Sequence, residues 1–394
     1  MSESESPPAP LKRGLTNKIA DNAFHGGAFF DAIGTKFDDL SKSDEIINAD
    51  VLDAWFDPSP SVIDALKEKL EWISKTSPPT HSEGLVSTIS QFRNIPLENI
   101  VVGSGSSSLM FIALRELLSS ESKVLILDPT YGEYPHLLNN VIKCKTKSLR
   151  LRRDENYKID ISTIKDELEY GYDALILVNP NSPTGQHIES KDIEDLINNI
   201  SDNILVWIDE TYTDFVSPLQ TCEKIAPNSK NVIICKSMSK AYGLSGLRVA
   251  YLSGATSLIS RLSKIVPPWS VSLPGQIAGV FALKSWDYYQ EKYKETKINR
   301  TQFQIDLENI GIEVIPGSAN FLLCHTDSVR IPSSELVKKS KEFGLYIRDI
   351  SLTSSFLGEY AVRIAVKSGQ ENSRIIEILK RSLDTVSYTH LTLP

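Results

Sequence analysis

A chain of 394 residues is too long for one hydrophobic core, so a large domain with a smaller companion is expected. With 41% hydrophobic and 23% charged residues, and no apolar run near the roughly 20 residues of a spanning helix, the composition counts against a membrane protein. The formal net charge of -8 counts against a nucleic-acid binder, which needs a basic face to displace counterions from phosphates.

The chain starts with MSESESPPAP, polar and proline-rich, without the charged-then-apolar layout of a secretion signal, so a cytoplasmic protein with a flexible start is expected. HGG at 25–27 and ADVLDAWFDPSP at 49–60 are punctuated by glycine and proline and read as an arm, with 1–58 expected to be a flexible N-terminal arm. Apolar, β-rich runs follow at 101–103 (VVG), 124–127 (VLIL), 174–178 (ALILV), 204–208 (ILVWI), 232–235 (VIIC) and 249–252 (VAYL), alternating with helical patterns. Strands this continuously apolar are covered on both faces, which predicts a largely parallel sheet inside helices over 59–284.

From 286 to 309 the sequence is charged and free of glycine and proline, which predicts a long helix. The strand signals IEVI (312–315), NFLLC (320–324) and AVRIAV (361–366) lead to a last helix with Ile375, Ile376, Leu379 and Leu383 on one face, completing a small domain over 285–385. The fold class is therefore α/β: a three-layer α/β/α large domain with a mostly parallel sheet, plus a smaller α+β C-terminal domain. The last nine residues, VSYTHLTLP (386–394), resemble a translated sequencing adapter and are left out of the fold. Cys144, Cys222, Cys235 and Cys324 form no CxxC pair and have no histidine at ligand spacing, so buried thiols are expected, with no metal site and no disulfide framework.

Three polar motifs each follow a predicted strand: NPNSPTG (179–185), IDETY (208–212) and SMSKAYGLSGLRVAY (237–251). Open α/β sheets bind ligands at the C-terminal ends of their strands, so these loops mark one site. Taken singly the residues are ambiguous: a lysine in a Ser/Gly loop is usually solvated, and Asp209 has a rival reading as a helix N-cap. GSGSSSLMFIAL (103–114) is a small-residue turn before an apolar helix, either a simple cap or an anion site built on backbone N–H groups.

The order NPNxPTG, DExY, SKxxGLxGLR resembles fold-type-I pyridoxal-phosphate enzymes of aminotransferase class I and II, over about residues 95–380. Histidinol-phosphate aminotransferase and threonine-phosphate decarboxylase are families it is similar to. The resemblance implies pyridoxal 5'-phosphate as cofactor and Lys240 as its Schiff-base lysine, a role that needs an amine desolvated beside other cations. It implies that Asp209 keeps the pyridine nitrogen protonated and that Tyr212 hydrogen-bonds the phenolic oxygen. Ser106, Ser107, Ser237, Ser239 and Arg248 are then the phosphate ligands, and Tyr131 of LDPTYGEY stacks on the ring. Relatives carry asparagine directly before the second proline of NPNxPTG, where this chain has Ser182, with Asn181 one earlier; both are candidates for the second phenolic contact. In the small domain Arg363 matches the arginine that grips the substrate carboxylate, Asn320 sits near it, and Arg348 of GLYIRD stands by the substrate tail.

The expected reaction is transamination between an amino donor and a keto-acid acceptor, in a homodimer. A decarboxylase of a phosphorylated amino acid is the alternative, because HGG, PPWSVS (267–272) and GLYIRD (344–349) read like that branch. A non-catalytic regulator fused to a DNA-binding module lacks support from this acidic chain. Two departures concern the substrate. ADVLDAWFDPSP replaces the Asn-Pro-rich loop of relatives, leaving Asp53, Trp55 and Asp57 either to meet a cationic or polar substrate or to form a solvated loop. TSPPTHSEG (76–84) lacks the tyrosine that relatives offer to the partner subunit, with His81 as a stand-in.

Overall fold

A computed structural model describes the backbone of residues 26–390, with side chains described as far as 384. The arm contributes β1 (Ile47–Asn48). The apolar runs form β2 (Ile100–Gly103), β3 (Lys123–Asp128), β5 (Ala174–Val178), β6 (Leu205–Asp209), β7 (Val232–Ser237) and β8 (Ala250–Gly254), joined by β4 (Lys145–Arg150) between β3 and β5 in the chain. These seven strands from β2 to β8 lie in the order β2-β8-β7-β6-β5-β3-β4. Strands β5 and β7 are buried along their whole length, which is why ALILV and VIIC show no polar alternation.

The sheet is mostly parallel, as expected, and two features lie outside what the apolar runs disclosed. The strand formed by VAYL, β8, is antiparallel to both β7 and β2. The connection 238–249 holds the short helix Met238–Ala241 and a 3-10 turn at Ser245–Leu247, with no helix long enough to cross back to the start of the sheet. Strand β4 carries no apolar run. It is an edge strand of sequence KTKSLR, exposed except for the half-buried Thr146 and Leu149, and charged edges of this kind protect a sheet from pairing with other chains.

The helix Trp286–Asn309 forms where its composition placed it and connects the two parts of the molecule. Beyond it come β9 (Glu313–Ile315), β10 (Phe321–His325), β11 (Leu345–Tyr346), β12 (Arg348–Asp349) and β13 (Ala361–Ala365). Four of them make an antiparallel sheet in the order β12-β13-β10-β9, and β11 pairs in parallel with β1. Tyr289 and Tyr293 of the long helix donate their hydroxyls to the carbonyls of Tyr242 (3.1 Å) and Ala241 (3.0 Å), gripping the turn that follows Lys240 from behind.

The expected flexible arm needs correction. Residues 1–25, with the histidine of HGG, lie outside the described residues, as do the side chains of the expected adapter tail. From residue 47 onward the arm is part of the core: Ile47, Ala49, Leu52 and Phe56 are buried in the main apolar cluster. Phe56 meets the rings of Tyr289 and Tyr293 edge-on, and Ala365 donates its N–H to the Ala49 carbonyl. The apolar residues of the arm look isolated in sequence because their partners lie more than two hundred positions away. Of the cysteines, Cys222, Cys235 and Cys324 are buried, Cys144 is half-buried, and all four are free.

Candidate active site

Strands β5, β6 and β7 are in register so that Val178, Asp209 and Cys235 lie side by side. The loops leaving these strands therefore open onto one place, a cavity of about 650 Å³ that is also lined by the arm and by β12 and β13 of the small sheet. Lys240, Asp209 and Tyr212 all line it, as do Ser106, Ser107, Tyr131, Ser182, Ser237, Ser239, Arg248, Arg348 and Arg363.

At the end of the cavity beside β2, the helix Ser106–Leu117 begins with Ser106 and Ser107. Its N-cap, Gly105, has φ of 86°, and a Cβ there would come within 2.4 Å of Arg248 Nη2, so only glycine lets the guanidinium approach this helix terminus. Arg248 donates to Ser239 Oγ (3.3 Å) and to the Ser245 carbonyl (3.1 Å). Ser237 Oγ accepts from the Ser239 N–H at 3.3 Å, fixing the start of the lysine turn. Hydroxyls, a helix N-terminus and a guanidinium around a cradle that a single methyl would fill suit a phosphate.

On the floor, Asp209 is buried and accepts three hydrogen bonds: from Tyr134 Oη (2.8 Å), from the Thr211 N–H (3.0 Å) and from Thr211 Oγ1 (2.6 Å). The contact to the Thr211 N–H means that Asp209 also shapes the turn after β6, so part of the cap-like reading is true. Burial pushes its pKa up, and the donors from Thr211 and Tyr134 oppose this only in part. A cation placed against the carboxylate would reverse the balance, and a protonated pyridine nitrogen is such a cation. Tyr134 was missed in the sequence. Its hydroxyl also accepts from Trp207 Nε1 at 2.8 Å. Trp207 lies on the same face of β6 as Asp209, and a buried indole N–H needs an acceptor, so the signal was present.

Tyr131 stands edge-on to Tyr134, with ring centroids 6.1 Å apart, and burial pushes its hydroxyl up to about 12. Tyr212 is buried with its ring edge-on to Phe321 at 5.2 Å; burial raises its pKa, and Arg363 opposes that rise. Arg363 donates from Nη1 to Ser182 Oγ (3.2 Å) and from Nη2 to the Asp50 carbonyl (3.1 Å), while its Nε is buried with no partner. The partners of this guanidinium are thus a hydroxyl and a carbonyl rather than a carboxylate. Arg348 is its register neighbour on β12 and pairs with Asp50 Oδ1 at 3.4 Å.

Asn181 and Ser182 separate here. Ser182 faces the cavity and Arg363, whereas Asn181 is turned into the loop: its Nδ2 donates to the Pro129 carbonyl (2.9 Å) and Thr184 Oγ1 (3.0 Å), and its Oδ1 accepts from Thr130 (3.1 Å). With both amide ends occupied, Asn181 shapes the loop rather than lining the site. Asn320 also lies outside the cavity lining and donates to the Leu52 carbonyl at 3.0 Å, tying the arm to the small sheet. His81 is exposed and lines a separate cavity of about 350 Å³. In the arm, Trp55 donates to Thr296 Oγ1 (2.8 Å) and the Asp57 carbonyl accepts from Tyr288, so neither faces the cavity. Asp53 meets Lys240 instead: its Oδ1 is 2.7 Å from Nζ.

The model of the family described as aminotransferase class I and II matches residues 47–380. The chain belongs to that family. It is a pyridoxal-phosphate-dependent aminotransferase, and the residues around the cavity suit that cofactor. Among curated relatives, a histidinol-phosphate aminotransferase of Methanococcus aeolicus is 28% identical over 340 residues, covering 86% of this chain and 90% of the relative. Histidinol-phosphate aminotransferase 1 of Archaeoglobus fulgidus is 30% identical over 329 residues, covering 83% and 96%. Among solved structures, the histidinol-phosphate aminotransferase of Sinorhizobium meliloti in complex with pyridoxal-5'-phosphate superposes with a TM-score of 0.79 at 18% identity, covering 95% of this chain and 99% of that one. L-threonine-O-3-phosphate decarboxylase of Porphyromonas gingivalis gives 0.74 at 23%, covering 86% and 100%. At these identities the last two speak for the fold alone. Among the described residues no helix is long and apolar enough to cross a membrane, and no cluster suits a metal ion.

Proposed function

We propose that this aminotransferase transfers the amino group of a small amino acid whose carboxylate is held by Arg363, with Lys240 as the covalent anchor of the cofactor and the proton carrier. Ser106, Ser107, Ser237, Ser239 and Arg248 hold the cofactor phosphate, Tyr131 lies against the ring, and Tyr212 and Ser182 serve its phenolic oxygen. Asp209 keeps the ring nitrogen protonated. Bound pyridoxal 5'-phosphate supplies an electron sink for the substrate α-carbon. The observation that supports this reading is the convergence of Lys240, Asp209 and the half-satisfied guanidinium of Arg363 on one cavity. A guanidinium bound edge-on fixes the plane of a carboxylate, and that leaves the Cα–H bond to be broken by the lysine.

The alternative is decarboxylation of a phosphorylated amino acid. Such a tail needs a cation at Arg348, and Arg348 is already paired with Asp50, which counts against a phosphate there. The same pairing counts against histidinol phosphate, the substrate in the names of the relatives. The test is a screen of amino donors with a keto-acid acceptor, with keto acid and carbon dioxide measured together. Keto acid without carbon dioxide supports transamination, and stoichiometric carbon dioxide overturns it. A cytoplasmic homodimer belongs to the same reading and is checked by sedimentation.

A further inference from the structure

We propose that Asp53 belongs to the catalytic centre, where its carboxylate receives Lys240 as an ammonium and so makes that lysine a stronger base at the substrate α-carbon. This rests on the transamination reading and adds to it a residue outside the motifs.

Asp53 Oδ1 lies 2.7 Å from Lys240 Nζ. Three cations also act on Lys240: Arg363, Arg248 and Lys367. Burial holds the lysine below its ordinary range, Asp53 opposes this, and the two arginines add to it. Asp53 is thus the anion bonded to the reacting nitrogen, set against three cations; the carboxylates of Asp50 and Asp209 line the same cavity. It is itself kept ionised: burial pushes its pKa up, but Lys240, a hydrogen bond from Ser245 and the charge of Lys367 bring it down; the Tyr212 hydroxyl also faces it.

The backbone that presents Asp53 is fixed on both sides. Asn320 holds the Leu52 carbonyl, Trp55 is bonded to Thr296, and Phe56 is buried among tyrosines. A carboxylate on a solvated loop would meet a lysine only transiently, whereas this one is placed there by the core.

The proton balance is simple. Neutral Lys240 takes the α-proton and becomes an ammonium beside the Asp53 carboxylate, while the electron pair of the broken C–H bond would be taken up by the electron sink that the bound cofactor supplies. For transamination Lys240 would then give that proton to the carbon of the sink rather than back to the α-carbon, and Asp53 remains ionised throughout. The pair goes from a charge of minus one to neutral and back, which in a desolvated site is the stabilising direction for proton uptake.

The test measures the basicity of Lys240 in cofactor-free protein by competitive acetylation across pH, with the Lys240 peptide quantified by mass spectrometry. Asp53→Asn is expected to lower the apparent pKa of Lys240 by about one unit or more, roughly a tenfold rise in labelling at a fixed pH below that pKa. Asp53→Glu should keep the lysine near its starting value. In the loaded enzyme the acidic limb of the kcat profile should move down by a similar amount in Asp53→Asn. Superimposed labelling curves for wild type and Asp53→Asn overturn the proposal, as does lost turnover with an unmoved acidic limb. If Asp53→Asn does not fold, Asp53→Ser, which also removes the charge, takes its place. Because the labelling is read without cofactor, it can fail while keto-acid formation stands, or succeed while that fails.

Discussion

A carboxylate buried at the end of β6 could face a ring nitrogen only if held in one orientation, and Tyr134 and Thr211 hold Asp209 by three hydrogen bonds. Tyr134→Phe leaves Trp207 Nε1 without its acceptor and removes one donor from Asp209. It should destabilise the protein by about 1–3 kcal/mol in urea unfolding and loosen cofactor retention. If retention is unchanged, Thr211 alone is enough to hold Asp209. Asp209→Asn removes the charge itself and should lower kcat by roughly 10²–10³-fold with the fold intact by circular dichroism. For Arg363, replacement by lysine keeps the charge but loses the planar fork, so KM for the amino donor should rise about tenfold or more while kcat falls less. At this scale the sequence was informative wherever a residue sits in a motif that follows a strand, as Lys240, Asp209 and Ser182 do. It was silent on Asp50 and left Asp53 open between a substrate contact and a solvated loop, because their partners lie on β12 and beyond β7. It misled at Asn181, because an amide in a polar loop reads the same whether it faces a ligand or its own backbone.

Between elements, the decisive features are close approaches that need glycine. At the start of the helix Ser106–Leu117, Gly105→Ala would both strain a left-handed backbone and press a methyl into the Arg248 guanidinium. Binding of the cofactor phosphate should weaken by at least about tenfold, consistent with the ~1–3 kcal/mol stored in a strained backbone position, as read by absorbance titration. Wild-type affinity in this variant would mean that Arg248 and the helix terminus do not act together. A second approach links the two sheets: a Cβ on Gly185 would lie 2.9 Å from the Gly317 Cα, and the Ser318 N–H donates to the Gly185 carbonyl at 2.8 Å. The loop NPNSPTG thus touches the small domain directly, which its turn-like composition did not disclose. The parallel strands were legible because double-sided burial removes polar residues from them. Strand β4 was not, since an edge strand of mostly exposed, largely charged residues resembles a solvated loop in sequence.

On the far side of the sheet from the cavity, the molecule contains a group of charges that no local pattern reveals. Lys236, on the opposite face of β7 from Cys235 and Ser237, lies 3.4 Å from Glu210, 3.5 Å from Asp214 and 3.8 Å from Glu223. Arg93 pairs with Asp214 (3.3 Å) and Glu223 (3.4 Å) and donates to Tyr242 at 2.9 Å. All five charged side chains are buried, and they join the helix ending at Arg93 to the segments that carry Asp209, Tyr212 and Lys240. Burial alone would push the Asp214 carboxyl up, but Lys236 and Arg93 hold it below its ordinary range; burial dominates at Glu210 and raises it. A depressed carboxyl gives stability that is present above its unfolded pKa near 3.8 and is lost as pH falls through the lower folded value. Lys236→Met removes the cation that three carboxylates share, which should destabilise the fold by about 3–5 kcal/mol at neutral pH. It should also reverse the sign at Asp214. With the folded carboxyls raised above their unfolded values, the native state holds the extra protons, so stability then falls as pH rises above about 4.5. Urea midpoints from pH 4.5 to 7 should therefore decline steeply in Lys236→Met and change much less in wild type. Parallel profiles would show that Arg93 alone neutralises the group, and that Lys236 serves only to fill space beneath the active-site turn.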